Sequence, residues 1–315
     1  HGSLAEGEGD MRYLLDGRAP GAWELRQLAA LQRTLAPGAD LRAVVSVLGM
    51  LRQFKPDIVH THMAKAGSLG RLAAVFYNAT RSRNRRARLI HTYHGHVFEG
   101  YFGSPTTKVF LAVERWLAKR TDALIAISPQ VRRDLLETYR VAREEQTRLI
   151  PLGFTLDRFL AVDNAARAAA RRSLGVPDDA IVVSTVGRLT AIKVHSLFLE
   201  MASRLAADPR YLFHLVGDGE LRSDLEAQAR AAGIADRVRF LGWRGDLDVI
   251  YGATDVFVLT SRNEGTPVAL IEALASGVAA VSTDVGGVGD VLNQAAFGLR
   301  VPFGDADALA AAVAS

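Results

Sequence analysis

Five short apolar runs in the second half of the chain constrain its fold more than any other feature. Each run is almost uninterrupted, which is typical of a strand covered on both faces. Helical patterns separate the runs, and this alternation predicts parallel βαβ units. The predicted strands are Ile181–Val186, Tyr211–Val216, Val238–Leu241, Val256–Leu259 and Val278–Val281.

The first half of the chain shows the same alternation with less regular spacing. Apolar runs predict four strands, which are Asp57–His60, Leu89–Tyr93, Ala123–Ile127 and Ile150–Phe154. Helical periodicity predicts helices at Ala22–Leu35, Leu41–Phe54, Ser68–Tyr77, Thr107–Arg120 and Gln130–Tyr139. No strand pattern precedes Asp57, so we expect this half to lack the first strands of a doubly wound domain.

An Ala- and Arg-rich connector separates the two series of predicted strands. It spans Asp157–Arg172 and leads into Gly175-Val-Pro177, which is typical of a loop. We therefore predict two α/β domains, residues 1–155 and residues 156–315, because a chain of 315 residues can bury two cores. The last helical pattern is cut at Ser315, so we expect the second domain to lack its last helix.

Composition excludes several functional classes. The chain has no cysteine, which rules out disulfides, thiolate metal sites and cysteine nucleophiles and fits a reducing compartment. No run approaches the roughly 20 apolar residues that a membrane helix needs, and no secretory signal is visible. We therefore expect a cytoplasmic protein. A Ser-His-Asp order and a P-loop pattern are both absent from the sequence, so hydrolase and NTPase functions lack a supporting motif.

The segment Thr260–Gly277 carries the strongest chemical signal. It directly follows a predicted strand and contains the start and stop residues of a helix over about residues 267–276. Thr266 is the predicted N-cap, Pro267 suits the first helical position and Gly277 suits the C-terminal stop. Such a helix begins at the carboxyl edge of the sheet, where open α/β sheets bind their ligands.

Polar groups at the start of this helix suit a phosphorylated sugar. The backbone N–H groups of Gly265, Thr266 and Val268 would hold a phosphate, helped by the helix dipole. A carboxylate beside a phosphate is unfavourable unless it accepts hydrogen bonds from hydroxyl groups. We therefore expect Glu264 and Glu272 to bind sugar and ribose hydroxyls on either side of a diphosphate.

A second element places two cations after a strand end. Arg188 and Lys193 follow Gly187, and we expect them to bind the diphosphate and to stabilise the charge that develops when it leaves. Two further strand ends carry weaker signals. One is the Gly turn at Gly217, and the other is the loop at Arg244, which is a candidate for lining a base pocket.

Histidines cluster at the predicted strand ends of the first half. His94 follows a strand and is expected at the sheet edge, facing a cleft, with His96 two residues further on. His60, His62 and His91 are better explained as core or hydrogen-bonding residues. A metal site would need converging ligands and a carboxylate or thiolate partner, so we expect no metal.

These residues together resemble the family-4 retaining glycosyltransferases, also described as glycosyl transferases group 1. The resemblance runs from about His60 to Leu309, and no single motif within it would be specific alone. It implies a GT-B fold, in which two Rossmann-like, doubly wound parallel-sheet domains face each other across a cleft. The motifs that carry it are Gly187-Arg-Leu with Lys193, Val216-Gly-Asp-Gly219, and Glu264 with Glu272 in Glu-Gly-Thr-Pro-Val-Ala-Leu-Ile-Glu.

The resemblance assigns roles to these positions. The two cations would bind the donor diphosphate, Glu264 the hydroxyls of the donor sugar and Glu272 the ribose. His94 would reach the transferred sugar, and the backbone of Arg244 would read the base. It thus implies four catalytic residues, which are His94, Arg188, Lys193 and Glu264. One departure is Val194, which stands where the family usually has glycine or a polar residue.

The same resemblance implies the reaction and its partners. The donor would be a nucleotide sugar, with UDP the expected base, and the acceptor a glycan, a lipid-linked glycan or a small molecule. Transfer would retain the anomeric configuration without a metal, and the leaving phosphate would take the acceptor's proton. Two alternatives stay open: a sugar-nucleotide 2-epimerase of the same fold, and an inactive protein that only binds sugar nucleotides.

Two features of the first half bear on membranes. Five arginines crowd between residues 81 and 88, either as a solvated loop or as a site of attraction to an anionic surface. Nucleic acid is not expected, because no aromatic residues alternate with these arginines. The predicted helix Thr107–Arg120 carries apolar residues among cations, and packing on its own sheet is expected ahead of peripheral membrane contact.

Overall fold

A computed structural model of the chain describes residues 2, 24–32, 36–95, 104–293 and 298–315. The chain forms two compact units, unit 1 over His1–Pro151 and unit 2 over Leu152–Ser315. The division falls close to the predicted boundary at residue 155. None of the described helices combines the length and the apolarity needed to cross a bilayer.

Unit 1 is built on a parallel sheet of four described strands. They pair in chain order, with the ladder β1–β2–β3–β4. The prediction of Ile150–Phe154 as the last strand is wrong, because the Ile150 amide makes the final bond to the Ala126 carbonyl and Pro151 has no N–H to continue. The strands are β1 (Ile58–His62), β2 (Arg88–Tyr93), β3 (Ala123–Ala126) and β4 (Thr147–Leu149).

The helices of unit 1 lie where the sequence periodicity predicts them, except for the first predicted helix. Residues 24–32, which fall inside the predicted helix Ala22–Leu35, form irregular chain and one turn, and the rest of that prediction lies outside the described residues. They are mostly exposed, so no packed face supports a helix there. The observed helices are α1 (Pro37–Phe54), α2 (Ala64–Ala79), α3 (Ser104–Ala118) and α4 (Pro129–Arg133), which ends in a wider turn at Asp134–Thr138.

Unit 2 contains a six-stranded parallel sheet. Five of its strands lie where the apolar runs predict them, within two residues at each end, and a short sixth strand follows. Every residue of Tyr211–Val216 is buried, as expected for a strand covered on both faces. The strands are β5 (Ile181–Val186), β6 (Tyr211–Val216), β7 (Val238–Gly242), β8 (Val256–Leu259), β9 (Ala279–Thr283) and β10 (Leu299–Val301).

Helices cover both faces of this sheet. One core cluster joins it to α7, α8 and α12, and a second cluster joins it to α5, α9, α10 and α11. The connector predicted at Asp157–Arg172 is itself helical, and its Phe159 is buried in the second cluster. The helices are α5 (Asp157–Leu160), α6 (Asn164–Ser173), α7 (His195–Leu205), α8 (Arg222–Ala231), α9 (Leu247–Gly252), α10 (Val268–Ala275), α11 (Val288–Val291) and α12 (Ala306–Ala314).

The strand order of unit 2 reverses beside its central strand. The order is β10–β9–β8–β5–β6–β7, so β5 has β6 on one side and β8 on the other. Because the connections leave β5 and β8 toward opposite sides, a crevice opens outside their carboxyl ends. The segments that follow these two strands therefore define where a ligand of unit 2 binds.

Candidate functional site

The two loops at the reversal point of the unit 2 sheet touch each other through Lys193 and Glu264. Lys193 follows β5 and Glu264 follows β8, and the Nζ and Oε1 atoms of the pair lie 2.6 Å apart. Glu264 is buried, with 8% of its surface exposed, and it also accepts a hydrogen bond from the Ser261 hydroxyl. Sequence reasoning expected these side chains at one site, and the structure places them in contact.

Backbone and hydroxyl bonds fix the same two loops against each other. The Thr260 hydroxyl donates to the Lys193 carbonyl at 3.0 Å. The Arg262 amide donates to the Ile192 carbonyl at 2.9 Å. The position of the Lys193 backbone therefore depends on the loop that carries Glu264.

Glycines bring the strand ends of β5, β6 and β7 into contact. The Gly187 amide donates to the Val216 carbonyl at 2.9 Å, and the Gly217 amide donates to the Gly242 carbonyl at 2.8 Å. Gly217 has φ of +134°, and a Cβ there would lie 2.0 Å from the Gly187 carbonyl oxygen. Only glycine fits this position, which explains the Gly turn at Gly217 without assigning it a ligand.

A pair of glycines that sequence reasoning missed supports Glu264 from the next strand end. The Gly287 amide donates to the Glu264 carbonyl at 2.8 Å. A Cβ on Gly286, whose φ is +49°, would lie 2.1 Å from that same carbonyl oxygen. The sequence signal that could have revealed this pair is two consecutive glycines, which begin three residues after the end of the buried strand β9.

The start of α10 differs from the predicted cap. Pro267 occupies the N-cap position and Val268 is the first helical residue, so Thr266 is not the N-cap. The Thr266 hydroxyl is buried, with no partner among the described residues. The Val268 amide donates to the Thr266 carbonyl at 3.0 Å, so the prediction that it is free for a phosphate is wrong.

Other amides at the start of α10 keep their donors available. Among the described residues, no hydrogen bond is formed by the amides of Gly265, Thr266, Ala269 and Leu270. Those of Ala269 and Leu270 belong to the first turn of the helix, which has no acceptor within the helix itself. Together with the helix dipole, these donors favour an anion at this point.

The second predicted carboxylate, Glu272, lies within α10 and is half-buried. Burial raises the pKa of Glu272 above that of an ordinary glutamate. The Tyr251 hydroxyl lies 3.3 Å from Glu272 Oε2 and 3.1 Å from the Ala269 carbonyl, and the charge of Arg158 acts on Glu272 in the opposite sense to burial. Tyr251 and Arg158 were not found from the sequence, since neither belongs to a recognisable motif.

The backbone at Arg188 is fixed by a buried histidine. His195 Nε2 lies 3.2 Å from the Arg188 carbonyl oxygen, and burial lowers the pKa of His195 to about 4. The neutral ring therefore donates from Nε2. Val194, between the site loop and α7, has φ of +47° and ψ of +48°, a left-handed conformation that is strained for a β-branched residue.

The loop after β7 places Arg244 with its side chain already paired. Arg244 forms a forked ion pair with Asp246, at 2.8 and 2.5 Å. Arg158 donates to the neighbouring Gly245 carbonyl at 2.9 Å, while Trp243 leaves 65% of its surface exposed. A role for Arg244 in ligand binding would therefore fall to its backbone.

The histidines of unit 1 form a contacting row at the carboxyl end of β1 and β2. His94 Nε2 lies 2.8 Å from His62 Nδ1, and the centres of the His62 and His60 rings lie 4.3 Å apart with their planes tilted by 39°. Burial, followed by the mutual repulsion of the ring charges, lowers the pKa of His62. His91 lies below the row, and burial lowers its pKa to about 2. His96 lies outside the described residues.

No cluster of three metal-ligating side chains occurs in the described part of the chain. The histidine row lacks a carboxylate, and the Lys193–Glu264 pair is neutral overall. The expectation that no metal takes part stays a prediction.

Two family models match consecutive parts of the chain. The model described as Glycosyltransferase Family 4 matches residues 27–158, and the model described as Glycosyl transferases group 1 matches residues 166–315. The two matches correspond closely to units 1 and 2.

Individual relatives match over most of the chain. The UDP-Gal:alpha-D-GlcNAc-diphosphoundecaprenol alpha-1,3-galactosyltransferase of Escherichia coli is 30% identical over 281 residues, which is 88% of this chain and 70% of that protein. A D-inositol 3-phosphate glycosyltransferase of Geodermatophilus obscurus is 32% identical over 275 residues. That match covers 82% of this chain, which spans only 58% of the length of the relative.

Solved structures share the fold. The crystal structure of Anabaena HepE in complex with UDP and glucose matches with a TM-score of 0.75 at 23% identity. The match covers 92% of this chain and 75% of that chain. At this identity the likeness concerns the fold alone.

Proposed function

The chain belongs to the group 1 glycosyltransferases of family 4, with the GT-B fold of two parallel-sheet α/β domains, and we propose that it transfers a sugar from a nucleotide-sugar donor bound by unit 2. The observation that carries this proposal is the Lys193–Glu264 contact at 2.6 Å, across the reversal point of the sheet. This contact places a cation and a carboxylate on the same loops as the free amides that precede and begin α10. These groups lie at the sheet edge where such sheets bind nucleotides.

We propose that the diphosphate of the donor lies against the start of α10. The amides of Gly265 and Thr266 would donate to its oxygens, and Arg188 and Lys193 would neutralise its charge. An ammonium group carries three N–H donors, so Lys193 can keep its bond to Glu264 while it binds a phosphate oxygen. In this arrangement Lys193 also holds Glu264 in place.

The two glutamates would then bind hydroxyl groups of the donor. Glu264 is fixed by Lys193 and Ser261 and would accept from the transferred sugar. Glu272 would accept from the ribose, with Tyr251 holding its carboxylate. The backbone of Arg244 and Gly187 would complete the pocket for the base and the phosphates.

For the base we propose uracil. The Escherichia coli relative is named for a UDP-galactose donor, and it is among the matches that cover two thirds or more of both chains. The names of both relatives also specify phosphorylated acceptors, one lipid-linked and one an inositol phosphate. A glycan, lipid-linked or small phosphorylated acceptor is therefore our proposal for this chain, with unit 1 contributing its site.

We propose that transfer retains the configuration of the sugar. The leaving phosphate, held by Arg188 and Lys193, would accept the proton of the acceptor hydroxyl on the same face. No carboxylate nucleophile of the retaining-glycosidase kind is then needed. His94, exposed at the end of β2 and bonded to His62, would contact the transferred sugar.

The experiment that tests this function is a thermal-shift series with UDP, GDP, ADP and CDP, each with and without a chelator. A specific nucleotide at a hundredfold excess over its dissociation constant should stabilise the protein by about 2.7 kcal/mol. UDP is expected to give the largest shift, and the chelator should not change it. Equal shifts with all four nucleotides, or no shift, would contradict the proposal.

Two variants locate the site and two controls match them. Lys193→Ala and Glu272→Gln should each weaken UDP binding by about tenfold to a hundredfold, the effect of losing one charge-assisted hydrogen bond. Arg230→Ala and Glu200→Gln change exposed residues on α8 and α7 and should leave UDP binding unchanged. Unchanged affinity in both site variants would place the nucleotide elsewhere.

Product analysis separates the alternatives. A transferase releases UDP and forms a glycosidic product only with an acceptor. A 2-epimerase would release an epimerised sugar without one, and an inactive protein would bind UDP and do neither.

A further inference from the structure

Arg158, the second residue of α5, bonds to the loop that follows β7. Its Nη1 atom donates to the Gly245 carbonyl at 2.9 Å, from a position 87 residues earlier in the chain. The fork between Arg244 and Asp246 lies within that loop, whereas the bond from Arg158 joins the loop to a distant segment. The side chain of Arg158 therefore fixes the main chain beside Arg244, whose backbone we propose as the contact to the base.

The residue after Arg158 packs α5 against the residues that hold Glu272. Phe159 is buried in the second core cluster, and the Arg158 guanidinium lies 4.5 Å from the centre of its ring. The centres of the Phe159 and Tyr251 rings lie 5.7 Å apart, and the Tyr251 hydroxyl lies 3.3 Å from Glu272 Oε2. A short series of contacts therefore joins Arg158 to the carboxylate proposed for the ribose.

Arg158 and Glu272 also interact through their charges. Burial raises the pKa of Glu272, while the hydrogen bond from Tyr251 on α9 and the charge of Arg158 on α5 lower it. Arg158 is itself faced by the carboxylates of Asp248, at 3.9 Å, and Asp246. An ionised carboxylate is a pure acceptor of hydrogen bonds. The charge of Arg158 therefore favours the form of Glu272 that accepts from hydroxyl groups.

A surface ion pair does not account for the contacts of Arg158. The side chains of Arg158 and Asp248 leave 47% and 37% of their surfaces exposed, and their closest charged atoms are 3.9 Å apart. Such a pair contributes little to stability. The shorter bond of Arg158 goes to the Gly245 carbonyl, which belongs to a loop of the proposed donor site.

We propose that Arg158 is a positioning residue for the nucleoside part of the donor, because it holds the Arg244 loop and the carboxylate of Glu272 in a fixed relation. This inference rests on the proposed function, in which the Arg244 backbone contacts the base and Glu272 accepts from the ribose. The side chains proposed for the diphosphate, Arg188 and Lys193, follow a different strand, β5. Loss of Arg158 should therefore weaken nucleoside binding and leave diphosphate binding nearly unchanged.

The test compares the dissociation constants of UDP and of inorganic pyrophosphate by calorimetry. Arg158→Met keeps an unbranched stem beside Phe159 and removes both the charge and the donor. It should weaken UDP binding by about tenfold, the effect of losing one charge-assisted hydrogen bond, and change pyrophosphate binding by no more than about twofold. Arg158→Lys keeps a charge and a donor, so its UDP binding should return to within about threefold of the wild type.

The pH dependence of UDP binding gives a readout that a purely structural role would not change. Without the charge of Arg158, the pKa of Glu272 is higher, so its carboxylate is protonated at a higher pH than in the wild type. The weakening caused by Arg158→Met should therefore grow as the pH falls from about 8 to about 5. The ratio of the two dissociation constants at each pH cancels the titration of UDP itself.

The matched control is Arg237→Met. Arg237 donates to the Pro209 carbonyl at 2.6 Å, so it also joins two distant segments of unit 2 through a main-chain carbonyl. This bond lies at the amino ends of β6 and β7, the edge opposite the proposed donor site. Its loss should change the binding of UDP and of pyrophosphate by no more than about twofold.

The outcomes separate this inference from the proposed function. Unchanged UDP binding in Arg158→Met would show that Arg158 positions nothing that the nucleoside contacts. An equal loss of UDP and pyrophosphate binding, independent of pH, would show a general distortion of unit 2 and would also overturn the inference. A wild-type protein that binds no UDP would refute the proposed function, and this inference with it.

Discussion

The two units hold their sheet edges in different ways. In unit 2 the loops after β5, β6 and β7 are joined by backbone hydrogen bonds, and Gly217 and Gly286 leave no room for a Cβ. In unit 1 the corresponding edge carries His62 and His94, which are exposed and bonded side chain to side chain at 2.8 Å. Main-chain hydrogen bonds therefore fix the sheet edge of unit 2. Side chains, which substitution can change, form the contact at the sheet edge of unit 1.

This difference fits the division of labour that we propose. All nucleoside diphosphate sugars present the same diphosphate, so a rigid backbone cradle in unit 2 serves one recurring group. Acceptors differ widely, so a surface made of side chains is easier to alter without disturbing the fold. Rigidity at one edge and side-chain variability at the other are therefore both expected in a transferase.

The largest loss of stability is expected from breaking the buried ion pair of unit 1. Arg71 and Glu114 form a fully buried pair at 2.7 Å, and Tyr93 donates to the same carboxylate. Arg71→Leu should destabilise unit 1 by about 4 kcal/mol, because Glu114 is left buried without its cation. Urea unfolding measures the loss.

The double variant Arg71→Leu with Glu114→Leu is its control. Removing both charges should restore most of the stability. A double variant as unstable as the single one would show that shape, rather than the unpaired charge, accounts for the loss.

The next effect tests the glycine cradle of unit 2. Gly217→Ala should destabilise the protein by about 3 kcal/mol and abolish UDP binding, since its Cβ would overlap the Gly187 carbonyl. Gly49→Ala, within α1 of unit 1 and with no neighbour within 4 Å of its Cβ, should instead stabilise slightly. Thermal unfolding of both variants measures this difference. Equal destabilisation by the two substitutions would contradict the proposed contrast between the units.

Acid sensitivity offers a third comparison. His214 is buried on β6, neither ring nitrogen has a partner among the described residues, and burial lowers its pKa to about 4. Between pH 6.5 and pH 4 the unfolded chain binds a proton that the folded chain does not, so stability falls as pH falls. From pH 7 to pH 5 this group should cost about 2 kcal/mol.

His214→Leu should remove that loss. The difference in unfolding free energy between pH 7 and pH 5 should shrink by about 2 kcal/mol relative to the wild type. Burial also lowers the pKa of His94, but that ring is exposed, so the same substitution there should change the pH dependence by less. An unaltered pH profile in His214→Leu would mean that its ring is not held neutral.

The smallest effect concerns backbone strain beside the site. Val194→Gly relieves a left-handed conformation but loses some apolar contact, so we expect a net stabilisation of about 0.5 kcal/mol. Val249→Gly, in the helical backbone of α9, should destabilise instead. Calorimetric melting of both variants measures this, and destabilisation by both would show that Val194 carries no strain.

Sequence patterns predicted unit 2 better than unit 1, for a physical reason. Strands covered on both faces are apolar at every position, and β6 is an example. In unit 1 the edge strand β1 alternates exposed and half-buried residues, which gives a weaker signal. The helix predicted from Ala22 is absent over residues 24–32, because periodicity alone does not supply a packing partner.

The sequence predicted those site residues that belong to recognisable motifs. Lys193 and Glu264 were expected together, and they are in contact. The supporting residues Ser261 and Tyr251 are ordinary side chains whose role depends on contacts between distant strand ends, so no local pattern reveals them. The prediction of Thr266 as the N-cap was wrong, because the chain makes a tight turn here in which the Val268 amide donates to the Thr266 carbonyl.

Hydrogen exchange with and without UDP tests the central claim most directly, since it locates the nucleotide on the chain. The amides of Gly265, Thr266, Ala269 and Leu270 form no hydrogen bond among the described residues and should become protected on binding, together with the loop from Gly187 to Lys193. Protection confined to these two segments and to the loop at Arg244 in unit 2 is the result we expect. Protection elsewhere, with these amides still exchanging freely, would contradict the proposed donor site.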